Sequence, residues 1–128
     1  MTEAEARALF ERRRDAWLAN DLDAYLALFS EGLVFQSPSH PEPLRGWAAF
    51  AELVRRSAAA IEPRSFDFSH LAVTGDVVLA EWRITARHRP TGRPIEWWGM
   101  SVCRVRDGLI ESWREYWNPA DVAAAREP

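Results

Sequence analysis

The residues best suited to chemistry sit near the end of the chain, in "GLIESWREYWNP", residues 108–119. The segment alternates like a strand and sets Glu111 and Glu115 on the same side as Trp113 and Trp117. An apolar wall favours the neutral form of a carboxyl group, the condition under which a carboxyl works as a general acid or base. Glu115 is therefore the first catalytic candidate. The bland alternative is a structural ion pair with Arg114 of a second copy or with Arg13 of the first helix. His70 is the second candidate, because a histidine beside a carboxylate makes an acid/base pair. It can equally be a hydrogen-bonded core residue, and Glu111 can belong to the frayed end of the sheet. Cys103 has no base near it except His70, so a nucleophilic role finds little support.

Other chemistries are excluded or unsupported by residue type. All sixteen basic residues are arginines, which rules out a Schiff-base lysine and a phosphate-loop lysine. His40, His70 and His88 are dispersed, and no His-rich or Cys-rich spacing occurs, so neither a metal nor a cofactor is expected. The net charge of −3 argues against nucleic acid or an anionic membrane as partner. With one cysteine no internal disulfide can form, and a reducing cytoplasm is the expected location. The N-terminus lacks the apolar core of a signal peptide, and no apolar run is long enough to span a membrane.

At 128 residues the chain suits one domain over 1–128, with a core from about 5 to 119 and a short tail, 120–128. Thr2 with Glu5 forms a capping box that opens a helix carrying Phe10 and Trp17 on one face. "NDLDAYLALFSEG" reads as a short second helix capped by Asn20 or Asp21. Leu22, Tyr25, Leu26 and Phe29 are its stripe, and Gly32 ends it. "LVFQSP" reads as a short strand, "SHPEP" as a loop, and "GWAAFAELVRRSAAA" as a third helix with Trp47, Phe50 and Val54 at helical spacing. From Pro63 onward the period is two, and four strands are predicted at 64–73, 77–89, 94–105 and 109–117. The tail reads as a frayed helical turn. Helices followed by a meander make an α+β fold, with helices on one face of a sheet.

The faces follow from the alternation. On 77–89, Trp82, Ile84 and Ala86 are apolar among polar neighbours, so even numbers point inward. Reading "PTGR" as a two-residue loop turns Ile95, Trp97, Gly99, Ser101, Cys103 and Val105 inward on the next strand. "RDG" is read as a three-residue loop, which turns Leu109, Glu111, Trp113, Glu115 and Trp117 inward. A two-residue Asp-Gly loop would instead bury Arg114 and expose two tryptophans. "TGD", read as three residues, places Phe66, Phe68, His70 and Ala72 inside. One rung then runs Glu115, Gly99, Ile84, Phe66. With no side chain at Gly99, a space is expected there, walled by Trp82, Trp97, Trp113 and Trp117 and addressed by Glu115. On the other face, Trp98, Met100 and Val102 form an apolar patch between Glu96 and Arg104, fit for a homodimer contact.

The order and spacing of "NDLDAYLALFSEGLVFQSP", "PTGR" and "VRDGLIESWREYWNP" resemble the nuclear transport factor two-like superfamily, over roughly residues 5 to 119. The closer likeness is to the SnoaL-like polyketide cyclase branch, and a more distant one is to limonene epoxide hydrolase. The resemblance implies a cone-shaped fold of three helices packed on a curved, mainly antiparallel sheet that encloses a pocket, and it agrees with dimers through the outer sheet face. Trp17, Tyr25, Phe35, Ser37 and Phe50 can then line the mouth, or simply pack. The epoxide hydrolase residues transfer poorly. The last-strand aspartate falls on Glu115 and the tryptophan before it on Trp113. The second aspartate and the arginine fall on Ile84 and Trp82, and the tyrosine and asparagine on Phe35 and Ser37. No counterpart of the ketosteroid isomerase tyrosine and two aspartates is found. SnoaL-type cyclases keep a last-strand carboxylate as acid/base, which here is Glu115; a position often aspartate at the strand's end is Asn118.

Three functions fit. One is a cofactor-independent acid/base enzyme of cyclase, isomerase or hydrolase type, acting on a small apolar, polyketide-like molecule. The second is a non-catalytic binder of such a ligand. The third is a dimeric interaction module whose tryptophans simply fill the core.

Overall fold

The expected capping box is present. In the computed structural model, which describes residues 1–126, Thr2 Oγ1 accepts from the Glu5 N–H and the Glu5 carboxylate accepts from the Thr2 N–H, both at 3.1 Å. Helix α1 (Glu3–Leu18) buries Ala6, Leu9, Phe10, Arg13 and Ala16, a stripe three to four residues apart. Asp21 caps α2 (Leu22–Leu26). This helix is shorter than its spacing predicts. Phe29, counted on its stripe, instead opens strand β1 (Phe29–Ser37).

"SHPEP" is not a loop but the start of β2 (His40–Arg45). Pro41 and Pro43 obscure it, since proline lacks the N–H of a ladder. β2 lies at the sheet edge, where that donor is not needed. Helix α3 (Trp47–Ala60) follows, then β3 (Ile61–Thr74), β4 (Val77–His88), β5 (Pro94–Arg106) and β6 (Leu109–Trp117). The expected helical tail is α4 (Pro119–Ala123) and a 3-10 turn, Ala124–Arg126; its last two residues lie outside the described ones. Asn118 Oδ1 caps α4 by accepting from the Ala120 N–H.

The six strands form one sheet in the order β2-β1-β6-β5-β4-β3, antiparallel except for the parallel pair β1–β6. α1 packs over β3 and α3 over β1. This brings Phe10, Phe66, Phe68 and Trp113 together under α1.

Turn lengths depart from expectation, with unequal consequences. The β4–β5 connection is a four-residue loop, Arg89–Gly92, with the His88 N–H donating to the Arg93 carbonyl. The tail holds this loop: Thr91 Oγ1 donates to the Ala125 carbonyl at 2.8 Å and so accepts from His88 Nδ1 at 2.9 Å. Trp82 therefore faces Gly99, and Ile84 faces Trp97. The β5–β6 turn is two residues, Asp107 and Gly108, both at positive φ (52° and 78°), as a tight twisted hairpin requires. That turn points Ile110 inward, and a bulge after it, between Arg104 and Val105 on the facing strand, restores the odd side of β6. Trp113 is consequently buried and Arg114 exposed. Glu115 faces Ser101 and Trp117 faces Gly99, so the expected rung through Glu115 and Gly99 does not form.

The space expected at Gly99 is also filled. A Cβ at that position would lie 2.5 Å from Trp82 Cη2 and 2.6 Å from the Tyr116 carbonyl oxygen. The glycine is needed so that the Trp82 indole can lie flat across β5. Its N–H then donates to the buried Ser101 hydroxyl at 2.7 Å. Gly99→Ala is expected to destabilise the fold by about 1–3 kcal/mol through overpacking, read as a lower midpoint in urea unfolding. An unchanged midpoint would mean that the indole moves aside freely.

Candidate active site

Glu115 answers for its odd company. Trp113 and Trp117 are its same-face neighbours on β6, two residues before and two after. The Trp113 indole N–H donates to Glu115 Oε2 and the Trp117 indole N–H to Oε1, each at 3.0 Å. Buried indoles need acceptors, and the carboxylate supplies one oxygen to each. A carboxylate offers about four lone-pair sites, so each oxygen retains one. The clamp is local to the strand and fixes the carboxylate plane without any arginine.

Beside it is a cavity of about 560 Å³, within the range of small-molecule sites. Its walls are Phe35 and Ser37 from β1, Phe50 and Val54 from α3, Trp82 and Ile84 from β4, Trp97 from β5, and Glu115 and Trp117 from β6. Arg13 and Trp17 of α1, Leu53, Arg56, Ser57 and Ala60 of α3, Ile61 and Phe66 of β3 and Val122 of α4 complete it, with Ser39 and His40 at the β2 end. The wall is largely aromatic and aliphatic, with the polar groups Arg13, Ser37, Ser39, His40, Arg56, Ser57 and Glu115.

Arg13 is buried, 8% exposed. Its guanidinium lies 4.1 Å from the Trp113 ring centroid and 5.3 Å from that of Phe66, a cation on aromatic faces. Its Nε has no hydrogen-bond partner. Nearby Tyr25 is pushed above the usual phenol range by burial; the Arg13 charge opposes this and the Glu115 charge reinforces it. Cys103 is likewise pushed up to about 12, chiefly by burial, so its thiol stays protonated and inert.

The structure gathers ten of the sixteen residues singled out above around the cavity: Glu115, Trp17, Phe35, Ser37, Phe50, Phe66, Trp82, Ile84, Trp97 and Trp117. Others stand behind the wall. Ser101 anchors Trp82, Trp113 backs Arg13 and Glu115, and Tyr25 and Phe68 pack within the aromatic cluster. Gly99 is covered by Trp82.

His70 is the clear correction. A bulge between Phe68 and His70 reverses the parity of β3, so Leu71 and Val73 pack against the core while His70 and Ala72 do not. The His70 side chain is 84% exposed and meets Glu81 at 3.1 Å on the outer face. Glu111 is not inward either; it approaches Arg106 at 3.4 Å and Arg104 at 3.9 Å. The expected ion pair between Arg13 and Glu115 is absent among the described residues.

Arg13, Ser39, His40, Arg56 and Ser57 are polar cavity groups that the sequence does not place there. The signal for Arg13 is its position between Phe10 and Trp17 on the apolar stripe of α1. For His40 none is visible, because β2 itself reads as loop. Among the described residues no three His, Cys, Asp or Glu side chains cluster, and no helix is long and apolar enough to cross a membrane.

Helices laid over a six-stranded, mostly antiparallel sheet define the nuclear transport factor two-like fold, and solved structures agree. A Bacillus subtilis protein assigned provisionally as an isomerase superimposes with a TM-score of 0.88 at 28% identity, covering 98% of this chain and 96% of that one. An LEH-like epoxide hydrolase of M. tuberculosis gives 0.78 at 24% identity, with 96% and 90% covered. Within the fold, residues 8–113 match the SnoaL-like domain, and the chain belongs to that family. It is also 31% identical over 114 residues to uncharacterized protein YesE of Bacillus subtilis (strain 168), spanning 84% of this chain and 78% of that protein. Glu115, Ile84, Trp82, Phe35 and Ser37 all border the cavity.

Proposed function

We propose that this SnoaL-like protein is a cofactor-independent acid/base enzyme of cyclase or isomerase type, acting on a small, largely apolar, polyketide-like molecule held in the cavity. The observation that carries this reading is the Glu115 carboxylate, held on the cavity wall by two indole N–H groups and still carrying unused lone pairs. A base held in one orientation loses no freedom when it meets its proton, which is the contribution of positioning to catalysis. The aromatic walls bind the apolar body by excluding water. His40 borders the same cavity and is the available second proton carrier. Epoxide hydrolysis by the two-aspartate, one-arginine route does not fit, because four of the five transferred positions carry Ile84, Trp82, Phe35 and Ser37, which cannot do that chemistry. The test is turnover of candidate cyclic and polyketide-like ketones by the wild type and by Glu115→Gln. A rate equal in both would end the assignment.

The same replacements favour a second reading, a non-catalytic binder. Titrating tryptophan emission with apolar ligands separates the two, since Trp17, Trp82, Trp97 and Trp117 line the space. A binder should respond alike in wild type and Glu115→Gln and turn over nothing. A module with a filled core is disfavoured by the cavity itself.

We also propose a cytoplasmic homodimer through the outer sheet face. Trp98, Met100 and Tyr116 are 55%, 43% and 56% exposed. Met100 faces Tyr116 across the ladder, Trp98 is the next outward residue on β5, and Val102 is half-buried beside them. Sedimentation should give twice the chain mass, and Trp98→Arg with Met100→Glu should give the single mass. A wild-type monomer at high micromolar concentration would refute the pairing.

A further inference from the structure

We propose that Arg13 makes one wall of the cavity a seat for a carboxylate, so that the ligand is an organic acid with an apolar body. This rests on the reading of the cavity as a binding site. A buried cation needs a counter-charge or a full set of hydrogen bonds. Arg13 is 8% exposed, and its Nε is unpartnered. Among the described residues no carboxylate oxygen comes within 4.0 Å of its nitrogens.

The nearby acids do not fill the gap. The Tyr25 hydroxyl meets the guanidinium, but Tyr25 and Cys103 both stay protonated under burial and supply no negative charge. Glu115 shares the cavity, but its carboxylate is held by Trp113 and Trp117 and does not come within 4.0 Å of an Arg13 nitrogen. The stack on Trp113 at 4.1 Å holds the guanidinium plane in place but supplies no acceptor lone pair. What remains is a planar donor fork, fixed by aromatic rings and bordering an apolar space. A guanidinium matches a carboxylate in shape and charge and binds it through paired N–H donors.

Arg56 also lines the cavity, but it is 72% exposed and already meets Glu52 at 3.4 Å, so Arg13 and Glu115 divide the work. The ligand carboxylate docks at Arg13, its body lies between Phe35, Phe50, Trp97 and Trp117, and Glu115 addresses a proton on that body. A carboxylate placed at Glu115 instead would be repelled, so the arrangement also sets the direction of binding.

Calorimetric titration with 2-naphthoate and its neutral isostere 2-naphthamide tests the inference on the wild type. The naphthoate is expected to bind about tenfold or more tightly, as hydrogen bonds to a charged group allow. Arg13→Met, which keeps an unbranched apolar stem and loses the charge, is expected to abolish the preference while the amide still binds. Arg13→Lys should retain part of it. Glu115→Gln should preserve or increase it by removing a negative charge from the cavity. Equal binding of the two probes by the wild type, or a preference that survives in Arg13→Met, overturns the carboxylate seat and leaves the cavity reading intact. Binding of neither probe overturns both. The wild-type comparison decides even if Arg13→Met does not fold.

Discussion

Glu115→Gln is expected to lower turnover by about 10²–10⁴-fold, the usual contribution of a positioned general acid or base. The substitution keeps size and shape but leaves a side chain that neither takes nor gives a proton at neutral pH. Its hydrogen bonding also changes in a specific way. Glu115 accepts from both indoles, one at each oxygen. Glutamine has one acceptor oxygen and an NH₂ group, so one indole N–H meets another donor and loses its partner. An unsatisfied buried donor costs about 1–3 kcal/mol, so a modest fall in stability should accompany the lost rate. Apolar ligands should still bind, because the aromatic walls are unchanged. The combination to look for is therefore binding retained, stability slightly lower and rate collapsed. Measuring kcat together with ligand affinity and a urea midpoint separates it from simple unfolding. A kcat within a factor of about three of wild type would remove Glu115 from the chemistry, since a group in proton transfer contributes far more.

Trp113→Ala is expected to cost about 3–5 kcal/mol of stability, the range for removing a large buried aromatic. Trp113 is 1% exposed and holds three parts of the molecule in register. Phe10 of α1 packs on it at 5.5 Å, the Arg13 guanidinium stacks on it at 4.1 Å, and its N–H binds Glu115. Truncation leaves a cavity, an arginine without its π face and a carboxylate without one donor. Trp113→Phe keeps one buried ring but loses the N–H and the bulk of the second ring, so its cost should be smaller than that of Trp113→Ala. Urea unfolding of both variants checks the pair. Equal losses would mean that the hydrogen bond and the second ring, and not the packing of the first, carry the effect.

How far the sequence could be read depended on the size of each register error. Alternation on β4 is strong, and it turned Trp82, Ile84 and Ala86 inward as expected. The β4–β5 loop was misjudged by an even shift. Because side chains alternate with a period of two, Trp97, Ser101 and Cys103 stayed on the inner side while their partners changed. At β5–β6 the two-residue turn and the bulge after it together make a second even shift, which moves Glu115 from Gly99 to Ser101 without turning it away from the cavity. At β3 the error was odd. One extra residue, Ser69, reversed every side chain beyond it and put His70 in solvent. A bulge carries no residue signature comparable to the glycine of a turn, so that reversal was not legible.

Burial of Arg13 was hidden for a different reason. A run of three arginines reads as a charged helix face, and only tertiary contact with Trp113, Phe66 and Tyr25 picks the middle one for the interior. The β2 strand was missed because its prolines are tolerated at an edge, which is a property of the sheet and not of the segment.

The tryptophan–glutamate–tryptophan arrangement on β6 has a consequence beyond this chain. Its three members are consecutive residues of one pleat face, so both hydrogen bonds are made within a single strand, while packing from other elements only holds the rings. Such a cassette is transferable. Any extended segment with one water-shielded side can carry it, and a lineage can redesign everything around the hollow, changing what enters, while the same oriented oxygen pair is kept in reserve for whatever hydrogen the new guest presents.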